Sequence, residues 1–213
     1  MAKRRGLFII LICVLLAGCA GVQVHDNLKL PAGEITGDQF IGIRYPFKVS
    51  APPHWKMTTA FPDFLKNLGY EEPGPEDKEV TELYVFNPST ESNIQIDFTP
   101  ANRGAQFSQK SIEALTTAAT ESLKSELEKE HGQGVVKVEV GPTEPISLNG
   151  VQFAAKKYVI YTMKGVKREQ GWIYGFSDPN QIFILYMIIE KEGENDRKDM
   201  QRILDSFEVI SKK

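Results

Sequence analysis

The sequence predicts an α+β domain in which an antiparallel β-sheet is sandwiched by helices in α/β/α layers, on three observations. Apolar residues alternate with period two in short segments between residues 79 and 190, separated by Gly, Pro and Asn. One long stripe at helical spacing, Ile112, Leu115, Ala119, Leu123 and Leu127, interrupts them. A shorter one, Met200, Ile203, Leu204 and Phe207, closes the chain. The 213 residues are 41% hydrophobic and 25% charged, which excludes disordered, collagen-like and coiled-coil arrays and is the size of one domain plus extras.

The extras come first. Lys3, Arg4 and Arg5 precede Leu7 to Leu16 (LFIILICVLL), ten apolar residues, where a bilayer span needs about 20. Leu16, Ala17, Gly18 and Cys19 then resemble the bacterial lipobox read by lipoprotein signal peptidase, with cleavage between Gly18 and Cys19. Small Ala17 and Gly18 leave the backbone open to a protease, and the Cys19 thiol can take a thioether-linked diacylglycerol. That resemblance implies a signal peptide over 1–18, a lipidated cysteine with a flexible tether over 19–37, and the domain over 38–213. The competing reading is an uncleaved membrane helix to Val24, which Gly18, Gly21 and Gln23 dilute. Ala20, in place of the Asp that resembles an inner-membrane retention signal, favours the outer membrane facing the periplasm.

Removing residues 1–18 takes away Lys3, Arg4 and Arg5 and leaves 22 basic against 28 acidic residues, a balance of −6. Cys13 departs with the signal and Cys19 is consumed by lipid, so no disulfide forms even in an oxidising compartment. Two or three lipid chains hold a protein at a membrane effectively for good, whereas one holds it reversibly.

Within the domain, Phe40 to Ser50 offers two short strands around Tyr45 and Pro46, and Ala51 to Trp55 (APPHW) breaks them. Pro62 to Leu68 reads as a helical turn and Glu71 to Asp77 as an acidic loop. Glu79 to Asn87 and Asn93 to Thr99 read as an antiparallel pair turned by Asn87 to Thr90. Ser108 is placed to cap the long helix, with Phe107 and Ile112 at staple spacing and Gly132 beyond its end. Val135 to Val140 and Glu144 to Leu148 are extended, and Asn149-Gly150 is the strongest hairpin signal. Two strands follow, over 151–163 and 168–176, turned by Lys164 and Gly165, and Ser177 to Asn180 turns again. Gln181 to Glu190 is an unbroken apolar run, as in a central strand covered on both faces. Asn195 or Asp196 caps the last helix, and Val209 and Ile210 finish the core.

Tyr45 to Trp55 (YPFKVSAPPHW), the strand Ile94 to Phe98 before a long helix, and Ile203 to Phe207 (ILDSF) together resemble the Mog1/PsbP-like superfamily, including bacterial DcrB-type lipoproteins, over about 38–210. The resemblance implies the fold, and a non-enzymatic accessory, assembly or binding role.

Chemistry-bearing motifs are sparse. His25, His54 and His131 share no metal-ligand spacing, so neither a metal nor a cofactor is expected. His54 reads as a loop histidine with one backbone hydrogen bond. No Gly-x-Ser-x-Gly elbow, phosphate loop or dinucleotide fingerprint occurs, so no catalytic residue is assigned. Glu71, Glu72, Glu76, Asp77 and the acidic cluster Glu192 to Asp199 read as solvated loops and a helix N-terminus. Lys156, Lys157, Lys164, Lys167 and Arg168 read as edge-strand charge, and nucleic acid is disfavoured by the net charge. Tyr158, Tyr161, Trp172, Tyr174 and Phe176 form the one candidate binding groove, core packing being the competing explanation.

The expected function is therefore that of a non-catalytic lipoprotein of the cell envelope, with the membrane as one partner through its anchor and a protein as the other. A carrier or sensor of a small hydrophobic ligand is the alternative, and a hydrolase stands third.

Overall fold

The structure, a computed structural model, describes residues 29–67, 70–72, 81–101, 105–132, 136–163, 165–190 and 195–210. The signal-peptide and lipobox residues Leu16, Ala17, Gly18 and Cys19 lie outside the described residues, as do Lys164, Glu192 and part of the acidic loop.

Two antiparallel sheets form the domain. The smaller comprises β1 (Gly33–Thr36), β2 (Gln39–Gly42), β3 (Phe47–Ser50) and β12 (Glu208–Val209), in that order. The larger runs β4 (Lys56–Thr58), β5 (Thr81–Phe86), β6 (Asn93–Pro100), β11 (Asn180–Ile189), β10 (Val166–Ser177), β9 (Phe153–Met163), β7 (Val138–Val140), with β8 (Glu144–Pro145) also on β9. A short helix, α1 (Asp63–Asn67), follows β4. The long helix α2 (Gln109–His131) covers β9 and β10 on one face of the larger sheet, while the smaller sheet and α3 (Asp196–Ser206) cover the other.

Alternation along each strand explains the layers. Ile94, Ile96 and Phe98 of β6, Ile182, Ile184 and Tyr186 of β11, and Ile173 of β10 are all buried on the smaller-sheet side with Phe40, Phe47, Val49, Met200, Ile203 and Phe207. Val159, Tyr161 and Trp172 point the other way, under Ala119 and Leu127 of α2. The expected central strand is β11, which lies between β6 and β10.

Ser108 caps α2 as its sequence position demands: Ser111 N donates to Ser108 Oγ at 3.2 Å, and Ser108 N donates to Ser111 Oγ at 2.9 Å, a capping box with serine in the reciprocal position. Phe107 stacks on Phe176 with ring centres 4.4 Å apart. The buried stripe of α2 also includes Thr116 and Thr120, whose hydroxyls donate to the carbonyls of Ile112 and Thr116 one turn back.

Three expectations are corrected. β1 falls inside the stretch read as tether, so ordered structure begins before Asp38: Gly37, at φ 62°, turns the chain and Thr36 pairs with Gln39. Asn149-Gly150 does not make a tight two-residue hairpin, because Asn149 is drawn aside to bridge Glu208 and accept from Val209 N at 2.9 Å. The turn that remains has Val151 N donating to Leu148 O at 3.1 Å, with Gly150 at φ 76° against the Val209 carbonyl. The third concerns the lysine-rich hairpin, which is not an edge: β7 and β8 pair with the outer side of β9.

Candidate functional site

The five aromatics read as one groove are divided between two faces. In the β9–β10 register Trp172 pairs with Lys157, Tyr174 with Ala155, Phe176 with Phe153, and Tyr161 with Arg168, so Tyr161, Trp172, Tyr174 and Phe176 share the α2 face. Tyr158 pairs with Gly171 and faces the smaller sheet's side, because it lies three residues from Tyr161 where a strand alternates every two. Tyr161 and Trp172 are buried under α2, and Tyr174 packs on Phe183 with ring centres 4.9 Å apart. No open groove joins the five.

A charged cluster lies on the Tyr158 side. Glu169 is buried; its Oε1 accepts from the Tyr186 hydroxyl at 2.9 Å, and its Oε2 accepts from Arg197 Nη1. Lys156, half-buried, holds its Nζ 5.1 Å from the centre of the Tyr186 ring and 5.8 Å from that of Tyr158. Burial pulls the Lys156 amine below its ordinary range, and the Glu169 carboxylate counteracts this. Burial, followed by the charge of Glu169, pushes the Tyr186 phenol far up. Lys167 pairs with Glu190 at 3.2 Å.

The acidic residues at the start of α3 are not all solvated either. Asp196 is buried and accepts from Asn87 Nδ2 at 2.9 Å and Thr90 Oγ1 at 2.5 Å, tying the β5–β6 turn to the helix. Asn195 occupies the cap position but makes no side-chain cap bond. Asp199 Oδ2 lies 2.9 Å from His54 Nε2, and its Oδ1 accepts from Arg202 Nη1 at 3.2 Å. His54 is thus held by a side chain 145 residues away rather than by a single backbone group. Among the described residues no group of three His, Cys, Asp or Glu side chains is placed to hold a metal.

An open cleft is built from the Pro-Pro-His-Trp loop. Its cavity of about 460 Å³ is bounded by Ile35 and Gly37 of the β1–β2 hairpin, Ala51 and Pro52 of the loop, and Trp55 and Met57 on the approach to β4. Two backbone bonds fix these walls: Ala51 N donates to Asp38 O at 2.9 Å, and Trp55 N to Pro52 O at 2.9 Å. Proline fixes φ and donates no hydrogen bond, so Pro52 and Pro53 make a rigid rim that offers no competing strand edge. Ile35 is 41% exposed while Trp55 is 5% exposed, and the Trp55 indole Nε1 is buried with no acceptor. An apolar wall with Lys56 at the edge suits an apolar side chain. The sequence signal for this site is the loop composition itself, in which Trp55 follows a rigid break.

No protein-family model matches the chain, and no curated protein matches it. Among solved structures it is similar to the solution structure of cyanobacterial PsbP (CyanoP) from Synechocystis sp. PCC 6803, at 9% identity and a TM-score of 0.51, covering 92% of this chain and 99% of that one. It is also matched with a crystal structure from Bacteroides thetaiotaomicron VPI-5482, at 12% identity and a TM-score of 0.48, covering 84% of this chain and 50% of that one. The antiparallel sheets and their helices are therefore a PsbP-like α+β fold, and at such identities the likeness is one of fold alone.

Proposed function

We propose that this chain is a lipid-anchored envelope protein of DcrB type, held at the outer membrane through Cys19, that works without catalysis by seating a segment of a partner protein in the cleft beside Trp55. The observation that carries the reading is an exposed Ile35 at an open cleft of about 460 Å³ walled by Ala51, Pro52, Trp55 and Met57. A peptide segment bearing an apolar side chain supplies the cover that Ile35 lacks. The N-terminal basic patch, apolar core and Leu16-Ala17-Gly18-Cys19 support the anchor.

A photo-crosslinking residue in place of Ile35, in cells making the full chain, tests the cleft. The expected result is a covalent adduct with one envelope protein that is absent when the crosslinker replaces Glu121 on α2. No adduct at position 35, or an equal one at position 121, contradicts the reading. The cavity volume also suits a small apolar ligand, and a native mass spectrum retaining a small molecule would move the assignment to a carrier.

A further inference from the structure

We propose that the outer face of the β1–β2 hairpin is a membrane-seating surface, which Leu30, Ile41 and Ile43 press against the lipid to which the chain is anchored. The proposal rests on the anchor at Cys19 and names the occupant of a surface separate from the cleft.

Exposed large apolar side chains are concentrated at one place. Among the described residues Leu30 is 46% exposed, Ile35 41%, Ile41 46% and Ile43 43%, and only Tyr70 and Val140 join them elsewhere. Ile35 belongs to the cleft. The other three lie outside it. Phe40 is fully buried toward the core, and a side chain added at Gly42 would meet the Phe47 ring, so strand alternation turns Ile41 outward; Ile43, one residue past β2, is exposed beside Ala32, whose carbonyl accepts from its N–H at 2.9 Å. Ile41 pairs with Glu34 on one side and Lys48 on the other, and Arg44 holds the Leu30 carbonyl through Nε and Nη2, at 3.1 and 2.8 Å. Ile41 is therefore fixed within β2, and Leu30 and Ile43 flank the hairpin with their backbones held by Arg44 and Ala32. The core of the smaller sheet lies on its inner face only, since Phe40, Phe47 and Val49 all point inward.

Chain length selects lipid over protein as the occupant. Leu30 follows Cys19 by eleven residues, a span of at most about 40 Å when fully extended. A lipidated Cys19 keeps the hairpin within that distance of the bilayer at all times, at an effective concentration in the millimolar range for a short flexible link. At such concentration a weak apolar contact is well populated.

The test uses the full chain, reconstituted with its lipid in vesicles of phosphatidylethanolamine and phosphatidylglycerol. Because lipid consumes the Cys19 thiol, Ile41→Cys offers a single free thiol for an environment-sensitive fluorophore, and Glu121→Cys on α2 is the control on the far side of the larger sheet. The expected result is a blue-shifted emission at position 41 that brominated lipid quenches, with neither change at 121. A fluorophore at 41 that stays water-like on a lipidated chain overturns the seating surface and leaves the anchor standing. An intact mass with unmodified Cys19 overturns both. Each labelled protein is melted to check folding, and Ile43→Cys replaces Ile41→Cys if the latter melts low.

Discussion

Tyr186 and Glu169 meet over a glycine: the phenol donates to the Glu169 Oε1 at 2.9 Å across the bare backbone of Gly171, the residue paired with Tyr186 in the β10–β11 register. A Cβ at Gly171 would stand 2.1 Å from the Tyr186 ring. Glycine inside a strand costs packing and entropy, and here it makes room for a buried ring whose hydroxyl satisfies a buried carboxylate.

Gly171→Ala should therefore destabilise the domain by about 1–3 kcal/mol through overpacking. The denaturant midpoint measures it; an unchanged midpoint would mean that the ring has somewhere else to go.

Arg44 and Glu82 give a second test. Arg44 Nη1 donates to Glu82 Oε1 at 2.8 Å, and Glu82 Oε2 has no partner. Arg44→Met leaves that carboxylate buried and uncompensated, at an expected cost of about 3–5 kcal/mol at neutral pH. Burial already lifts the Glu82 carboxyl above its ordinary range, with Arg44 opposing. A group whose folded pKa is raised stabilises fully below its unfolded value and loses that contribution as pH rises through the folded one. The deficit of the variant should therefore shrink on acidification through the carboxylate range, and a deficit independent of pH counts against the buried charge as its cause.

At the alkaline end Tyr45 contributes beside the other buried tyrosines, Tyr84, Tyr161 and Tyr186. Burial, reinforced by the Glu82 charge, pushes its phenol up to about 12 from an ordinary 10.0. The same sign applies: its contribution is whole below pH 10 and is lost as the pH climbs through about 12, by on the order of 2 kcal/mol. Unfolding followed from pH 9 to 12 should show this loss, and Tyr45→Phe should remove that part of the slope.

Thr90→Val removes the shorter of the two hydrogen bonds to the buried Asp196 carboxylate while keeping the volume. A bond to a charged group is worth about 1.5–3 kcal/mol, so a loss of that size is expected in the denaturant midpoint. A loss near zero would show that Asn87 alone satisfies Asp196.

The fold was legible where local chemistry repeats. The capped stripe from Ser108 to Leu127 and the alternation of Ile94, Ile96 and Phe98 specify a helix and a strand by local pattern alone. β1 was not legible, because Gly33–Thr36 is a strand only through its pairing with Gln39 to Gly42. At Asn149-Gly150 the local turn preference holds, since Val151 N donates to Leu148 O across it, but β12, about sixty residues on, takes the Asn149 carbonyl, and the β8–β9 ladder begins only at Pro145 and Ala155. Counting aromatics by strand grouped Tyr158 with Tyr161, although three residues in a strand reverse the face. The buried roles of Glu169, Asp196 and Lys156 depend on partners from other strands and α3, which no spacing in the sequence discloses.

The intact mass of the protein extracted from membranes of cells making the full-length chain tests the anchor most directly, with the Cys19→Ser chain as control. The expected mass is that of a chain beginning at Cys19 and carrying a diacylglycerol group, absent from the control. An unmodified chain that still begins at Met1 would contradict it.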